Sequence, residues 1–230
     1  MSEWQLEEGA AEPGGLEAAE GDVGRSVAPA NLAIFLKTLV VSDTRKWFGE
    51  AELRLDVLIV HGAAASVEDL YHPQTLRFPR VKDSDDIASG EHGLLVYLGQ
   101  PKHFLAMSLM LARDTKDSDD LAALLQAQSK SDDLRKSLSA LAGVLPAIPH
   151  AGALQAGVGA ALALGDVAYK VLRQQTPTCL GLYRAAWLEG RHRFGLGRHP
   201  SAGTEVIKDF QLAYEIGVDR RARAAGAPRR

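Results

Sequence analysis

Between Ser137 and Gly165 the chain carries no Asp, Glu, Lys or Arg. A stretch that long without charge has to be covered, by the rest of the protein or by lipid. Crossing a bilayer takes ~20 consecutive apolar residues. Here Pro146, Pro149, His150 and Gln155 interrupt the run, and much of the remainder is Ala and Gly, which gain little from transfer into hydrocarbon. Ala153, Gly157, Ala161 and Gly165 recur four apart, a helix face on which another backbone can pack closely. Before them, Leu121, Leu124 and Leu125, then Leu134, Leu138 and Leu141, keep helical spacing. The pattern predicts a helical region over about 118–175, read as a hairpin covering a sheet. The alternative reading is a membrane-inserting or pore-forming element built on 137–165.

On both sides of that region the pattern changes to strands. Leu32–Val41 is largely apolar, with β-branched residues, and is bounded by Asn31 and Ser42-Asp43, as a buried strand would be. Ala51, Leu53, Leu55, Val57 and Ile59 alternate with Glu52, Arg54, Asp56 and Leu58, which predicts one face in a core and one mostly wet. Arg77 to Val81 reads as a short edge piece, because Pro79 cannot serve a central strand. Leu94 to Leu98 is a compact strand, and Gly99-Gln100-Pro101 reads as a hairpin turn into His103–Arg113. Leu180 to Trp187, continuing toward Phe194, has strand character, and Phe210, Leu212, Tyr214 and Ile216 alternate cleanly with Gln211, Ala213 and Glu215. About five strands precede the helical region and about two follow it, without an even βα alternation. The fold class expected is mainly β: an antiparallel β-sandwich over 31–218 with an α-helical hairpin inserted between early and late strands.

Composition excludes several classes of chain. Of 230 residues, 46% are hydrophobic, 24% charged and 6% aromatic, which rules out wholesale disorder, collagen and a disulfide scaffold. A net charge of −3 gives no overall drive toward nucleic acid. Cys179 is the single cysteine, which excludes an internal disulfide and a multi-cysteine zinc site and fits a reducing, cytoplasmic setting. Residues 1–30, with Glu7, Glu8, Glu12, Glu17, Glu20 and Asp22 among Ala and Gly, read as an acidic flexible arm. Residues 219–230, with Arg220, Arg221, Arg223, Arg229 and Arg230, read as a basic flexible tail.

Ser-Asp-Asp recurs at Ser84, Ser118 and Ser131. Before Leu121 and Leu134 this reads as a helix start, the hydroxyl capping an amide and the acids answering the dipole. Leu32 to Val60, strand–loop–strand with Asp43 in the loop, resembles the opening of a C2-type β-sandwich, and Phe104 to Asp114 resembles that family's later strand running into an acidic loop. The resemblance implies calcium held by loop aspartates and presented to phospholipid headgroups, and onto this chain it carries Asp43 and Asp114, with Asp117 or Asp119 as companions. The loop after Asp43 reads Thr-Arg-Lys-Trp-Phe-Gly-Glu, with two cations and no second Asp, so calcium binding is expected to be weak or absent.

A second duplication, Gly190-Arg191-His192 and Gly197-Arg198-His199, brackets Arg193. Arg191, His192, Arg193, Arg198 and His199 form the densest basic patch of the folded region and are the candidate ligands for a phosphate, sulfate or headgroup. No GxSxG, HExxH or Walker pattern occurs, and Cys179 has no catalytic setting. The expected function is therefore a non-catalytic binding module using sandwich loops, for phospholipid or a protein partner. A membrane-active protein is the second reading, and an enzyme of unrecognised class the third.

Overall fold

A computed structural model describes residues 31–62, 68–115, 118–144, 151–176, 178–199 and 205–218. The acidic arm, the basic tail and Asp117 lie outside the described residues. The strands are β1 (Leu32–Val41), β2 (Ala51–His61), β3 (Tyr71–Val81), β4 (Leu94–Gly99), β5 (Phe104–Arg113), β6 (Cys179–Leu188), β7 (Gly197–His199), β8 (Glu205–Ile207) and β9 (Phe210–Val218). They form two antiparallel sheets of a β-sandwich. One has the order β4-β1-β9-β7, with β8 also on β9, and the other β3-β2-β5-β6. Between β5 and β6 run α1 (Leu121–Ala127), α2 (Asp132–Val144) and α3 (Ala151–Gln175), and a helical turn α4 (Glu189–His192) follows β6.

Alternation along the strands builds two cores. Ile34, Leu36 and Leu39 of β1 and Leu212, Tyr214 and Ile216 of β9 meet Leu53, Leu55, Val57 and Ile59 of β2 and Leu105, Met107 and Leu109 of β5 between the sheets. The opposite face of the second sheet, with Leu58, Val60, Ala106 and Met110, packs against Leu124, Leu125, Leu164, Ala168 and Leu172 of the helices. The molecule thus has three layers, and β2 and β5 are buried on both faces. Such strands carry near-continuous apolar sequence, as β5 does.

Several sequence expectations change at this point. The wet face expected on β2 is roofed by helices, so Arg54 and Asp56 are both 0% exposed. The expected hairpin at Gly99-Gln100-Pro101 is instead a crossing between sheets, because β4 pairs with β1 while β5 pairs with β2 and β6. The edge piece at Arg77 extends back to Tyr71, and as an edge strand it tolerates Pro73 and Pro79. Strand structure after β6 stops at Leu188, where Glu189–His192 turns helical, and four described strands rather than two follow the helices. The helical region holds three described helices rather than a two-helix hairpin.

Arg54 and Asp56 hold each other in a two-point fork, Nε to Oδ2 and Nη2 to Oδ1, each 2.7 Å. Thr75 on β3 donates to Asp56 Oδ1 at 2.5 Å and accepts the Leu121 amide at 2.8 Å, so the first amide of α1 is capped from a neighbouring strand. Ser118 does not cap α1: its hydroxyl accepts from Arg54 Nη1 at 2.9 Å and donates to Asp114 Oδ1 at 2.5 Å. Ser131 takes the capping position expected of it, accepting the Leu134 amide at 3.4 Å. Ala153 is half-buried, whereas Gly157, Ala161 and Gly165 are buried. A Cβ on Gly165 would come within 2.3 Å of Ser108 Oγ on β5.

Two outcomes follow. Removing one member of a buried ion pair costs ~3–5 kcal/mol, whereas replacing both with apolar groups is often near neutral. Urea denaturation should therefore find Arg54→Met far more destabilised than Arg54→Met/Asp56→Leu; equal losses would mean that the pair is not what Asp56 needs. Gly165→Leu overpacks the α3–β5 contact and should lower stability by ~1–3 kcal/mol or more, and an unchanged midpoint would show that α3 does not lie tightly on β5.

Candidate functional site

The strand registers sort the loops into two ends. At one end lie the β1–β2 loop, the end of β3 and the segment leaving β5; at the other lie His61, the start of β3, the end of β4 and the loop after β6. Asp43 and Asp114 belong to the first end, and Arg191 to His199 to the second.

The β1–β2 loop is stitched down along its length. Ser42 and Asp43 amides donate to Asp209 O at 2.7 and 3.3 Å, and the Thr44 amide donates to Asp83 Oδ1 at 2.8 Å. That backbone hydrogen bond holds the Asp83 carboxyl below the usual carboxylate range. Asp43 Oδ1 accepts the Arg45 amide at 2.6 Å. Arg45, in a left-handed conformation at φ 53°, puts Nε 2.6 Å from Asp209 Oδ2, close in distance though not aligned as a hydrogen bond. Arg113 Nη1 donates to Arg45 O at 3.3 Å. On this anchored base Trp47 and Phe48 stand 87% and 80% exposed, packed edge to face with centroids 6.1 Å apart. Gly49 at φ 79° supplies the left-handed turn that brings the chain back to β2.

Beside this tip lies an open cleft of about 380 Å³, walled by Lys46, Arg80 and Arg113 and by Glu50, Glu52 and Asp114. Its carboxylates differ in how they are answered. Lys82 Nζ is 3.5 Å from Glu50. Asp114 meets Arg77 Nε at 3.0 Å and Arg54 Nη1 at 4.0 Å. Arg77 also reaches Asp120 Oδ1 at 2.5 Å, and that hydrogen bond raises its pKa. Lys46, Arg80 and Arg113 have no carboxylate partner among the described residues. The aspartates carried over from the C2 resemblance therefore share one end, but Asp114 is engaged by arginines and Asp43 by its own loop. Asp119 is exposed before α1. Among the described residues no three His, Cys, Asp or Glu gather as a metal site.

The basic patch is spread out. Arg191, Arg193 and Arg198 point to solvent, with Arg198 Nε 3.9 Å from Glu215. His192 Nδ1 accepts the Leu188 amide at 3.1 Å, and burial, helped by the Arg191 charge, lowers its pKa. His199 Nε2 lies 2.5 Å from Gly195 O while its ring stacks on Tyr214 at 4.9 Å. The two histidines thus serve the local turn. Cys179 is half-buried 3.8 Å from Thr176, and burial pushes its thiol up.

Sequence reasoning did not single out two features of the molecule. Trp47 and Phe48 were visible as adjacent aromatics in a turn-flanked polar loop. The other feature, at the far end, is a pair of histidines. His61 Nε2 and His72 Nε2 are 2.8 Å apart, with ring centroids 5.0 Å apart, so the rings meet head to head and one donates to the other. Tyr97 reaches across from the other sheet to within 5.9 Å of the His72 centroid; its hydroxyl has no hydrogen-bond partner among the described residues, and burial pushes its pKa up to about 12.

Comparison with protein-family models, with curated proteins and with solved structures finds no match to this chain.

His72 carries a pH dependence of definite sign. Burial lowers the His72 pKa, against the opposing charge of Asp69. The folded chain then binds this proton less readily than the unfolded chain, so the stability is whole above ~pH 6.5 and is lost as pH falls from there through the lowered folded value. Thermal melting should fall on acidification across that window, and His72→Gln should flatten the fall. An identical profile in the variant would assign the acid sensitivity elsewhere.

Proposed function

We propose that the chain is a non-catalytic binding module, C2-like in build with its helical layer inserted between β5 and β6, which docks through the β1–β2 loop on an anionic phospholipid surface. One observation carries this reading: Trp47 and Phe48 stand almost wholly in solvent beside cations that no described carboxylate answers. Two large aromatic side chains held out on an anchored loop are a cost in water unless something covers them. A bilayer interface covers such rings at the headgroup level and receives flanking Lys and Arg among its phosphates. A protein groove would accept the rings equally well, but the cations beside them favour an acidic, phosphate-bearing surface.

The magnitudes describe a reversible contact. Burying each ring contributes ~1.5–3 kcal/mol, and each cation near an anionic surface adds ~1 kcal/mol. Association costs ~4 kcal/mol or more in lost freedom, so the surplus is small and falls as salt screens the charges. Calcium has no part in this reading, since Arg45 already meets Asp209 and Arg77 already meets Asp114 at this end. On that basis, calcium-independent phospholipid binding is preferred to the calcium-loaded form that the C2 resemblance implies. The charge-free segment also has a role within the fold: α3 lies against the second sheet, and no helix of the described residues is long and apolar enough to cross a membrane.

Flotation of the full chain with phosphatidylcholine–phosphatidylserine vesicles tests the reading. Binding should be the same in EDTA and in calcium, weaker at high salt, and reduced roughly tenfold or more in Trp47→Ser/Phe48→Ser, whose melting temperature should not move. A wild-type chain left in the aqueous layer, or a double variant that floats as well, would sink the proposal.

A further inference from the structure

The cleft beside the aromatic tip has an uneven charge account. Of its three carboxylates, Glu50 is met by Lys82 and Asp114 by Arg77, which it shares with Asp120, while Lys46, Arg80 and Arg113 meet no carboxylate among the described residues. Three cations without carboxylate partners around one open cavity suit an anion that offers several acceptor oxygens. A phosphomonoester carries about −1.5 to −2 at neutral pH and offers three acceptor oxygens. Guanidinium forks match those oxygens in a plane, as Arg80 and Arg113 can.

The backbone points to the same place independently. In the β2–β3 ladder Ala51 faces Val81 and Leu53 faces Phe78, so Pro79 and Arg80 together stand opposite Glu52. That extra residue is a β-bulge, a device that re-aims one side chain. Pro79 could not donate to the ladder in any case. Arg80 takes the left-handed conformation at φ 59°, which costs a residue with a Cβ ~1–2 kcal/mol. Arg80 is exposed and makes no ion pair among the described residues, so its guanidinium is open to a ligand. The bulge imposes that conformation, and with it sets the Arg80 side chain on the cleft wall. Lys46 is tied to its own loop by a hydrogen bond from Nζ to Glu50 O, which holds its ammonium at the rim.

We propose that Lys46, Arg80 and Arg113 form a binding site for a phosphomonoester group, either the headgroup of a phospholipid or a free phosphorylated small molecule. This names the ligand of the docking end and rests on the membrane reading only for the lipid source.

The test uses the full chain with two sets of probes. The first is vesicles of phosphatidylcholine containing either phosphatidylserine or a phosphatidylinositol monophosphate, matched for total charge. The second is soluble inositol trisphosphate, with inositol as the uncharged control, read by thermal melting and by calorimetry. Wild type should bind phosphomonoester vesicles roughly tenfold more tightly than the serine vesicles, and inositol trisphosphate should raise its melting temperature. Arg80→Gln and Arg113→Gln should each abolish the preference and the thermal shift. Lys130→Gln, which removes a cation from the turn after α1, should keep both. Arg80→Gly accommodates the left-handed backbone without strain, so a loss of binding in that variant cannot be put down to misfolding.

Equal affinity for the two charge-matched vesicles together with no response to inositol trisphosphate would overturn the site while leaving the membrane reading intact. A thermal shift lost in Arg80→Gln, without vesicle binding of any kind, would support the site with a soluble ligand and remove the membrane. A preference that survives Arg80→Gln and Arg113→Gln would place the phosphate elsewhere and overturn the assignment.

Discussion

The arrangement depends on an ion pair sealed between a sheet and a layer of helices. Arg54 and Asp56 project from β2 on the face away from the sandwich core, where strands of a two-layer protein would meet water. Leaving either charge alone there would cost several kcal/mol, so the two must face each other and their remaining valences must be filled. Thr75 fills one and Ser118 another. Each of these partners also fixes the helical layer, Thr75 through the first amide of α1 and Ser118 through the segment that leads into it. The pair is weak evidence for stability but strong evidence for register: α1 can begin at only one place on the sheet without leaving a buried charge unsatisfied.

From that pair the charges run outward to the surface without a break. Ser118 bonds Asp114, Asp114 meets Arg77, and Arg77 meets Asp120 and the Ser118 carbonyl. Asp114 is also a wall of the cleft beside the β1–β2 loop. The docking of the helices and the geometry of the loop end are therefore set by one connected network. Neutralising Asp114 from the protein side is also what leaves the cations opposite it without partners.

How much of this was legible depends on which neighbours a residue needs. Strands with a strict period, such as Phe210 to Ile216, or with an apolar run broken only by Lys37 and Thr38, such as Leu32 to Val41, declare themselves because each buries a face against whatever lies across from it. The edge strand β3 was only partly visible, since Pro73, Pro79 and its polar outer residues carry little periodicity. The wet face of β2 was misjudged for a different reason: alternation reports polarity, and Arg54 and Asp56 are as polar when paired beneath a helix as they would be in water. Whether Gly99-Gln100-Pro101 makes a hairpin or crosses between sheets depends on pairing partners far away in sequence, Leu32 for Gly99 and His61 for Leu105. At the candidate site, Asp43 and Asp114 were legible as belonging to one end, but the arginines that occupy Asp114 come from β2 and β3, and no spacing rule links them. Arg80 was invisible, because a bulge changes the aim of a side chain without changing the sequence pattern around it.

Carboxylates gathered at the end of a sandwich repel one another unless a positive charge is placed among them. A bound metal ion supplies that charge reversibly, and the loops then hold their geometry only when loaded. Here the positive charges are covalent parts of the chain. Arg45 reaches Asp209, Arg77 reaches Asp114, and Lys82 reaches Glu50, each from a different segment. Loops closed in this way need no ion to be ordered, which agrees with the dense backbone anchoring of Ser42, Asp43 and Thr44. The same substitution changes what the end presents outward. A metal-dependent cluster offers a partly coordinated cation when loaded and bare carboxylates when empty, whereas this one offers surplus guanidinium and ammonium groups at all times, beside two aromatic rings that no other part of the described chain covers. In the proposed reading, the permanence of that surface, more than its charge alone, is what would separate this end from a calcium switch.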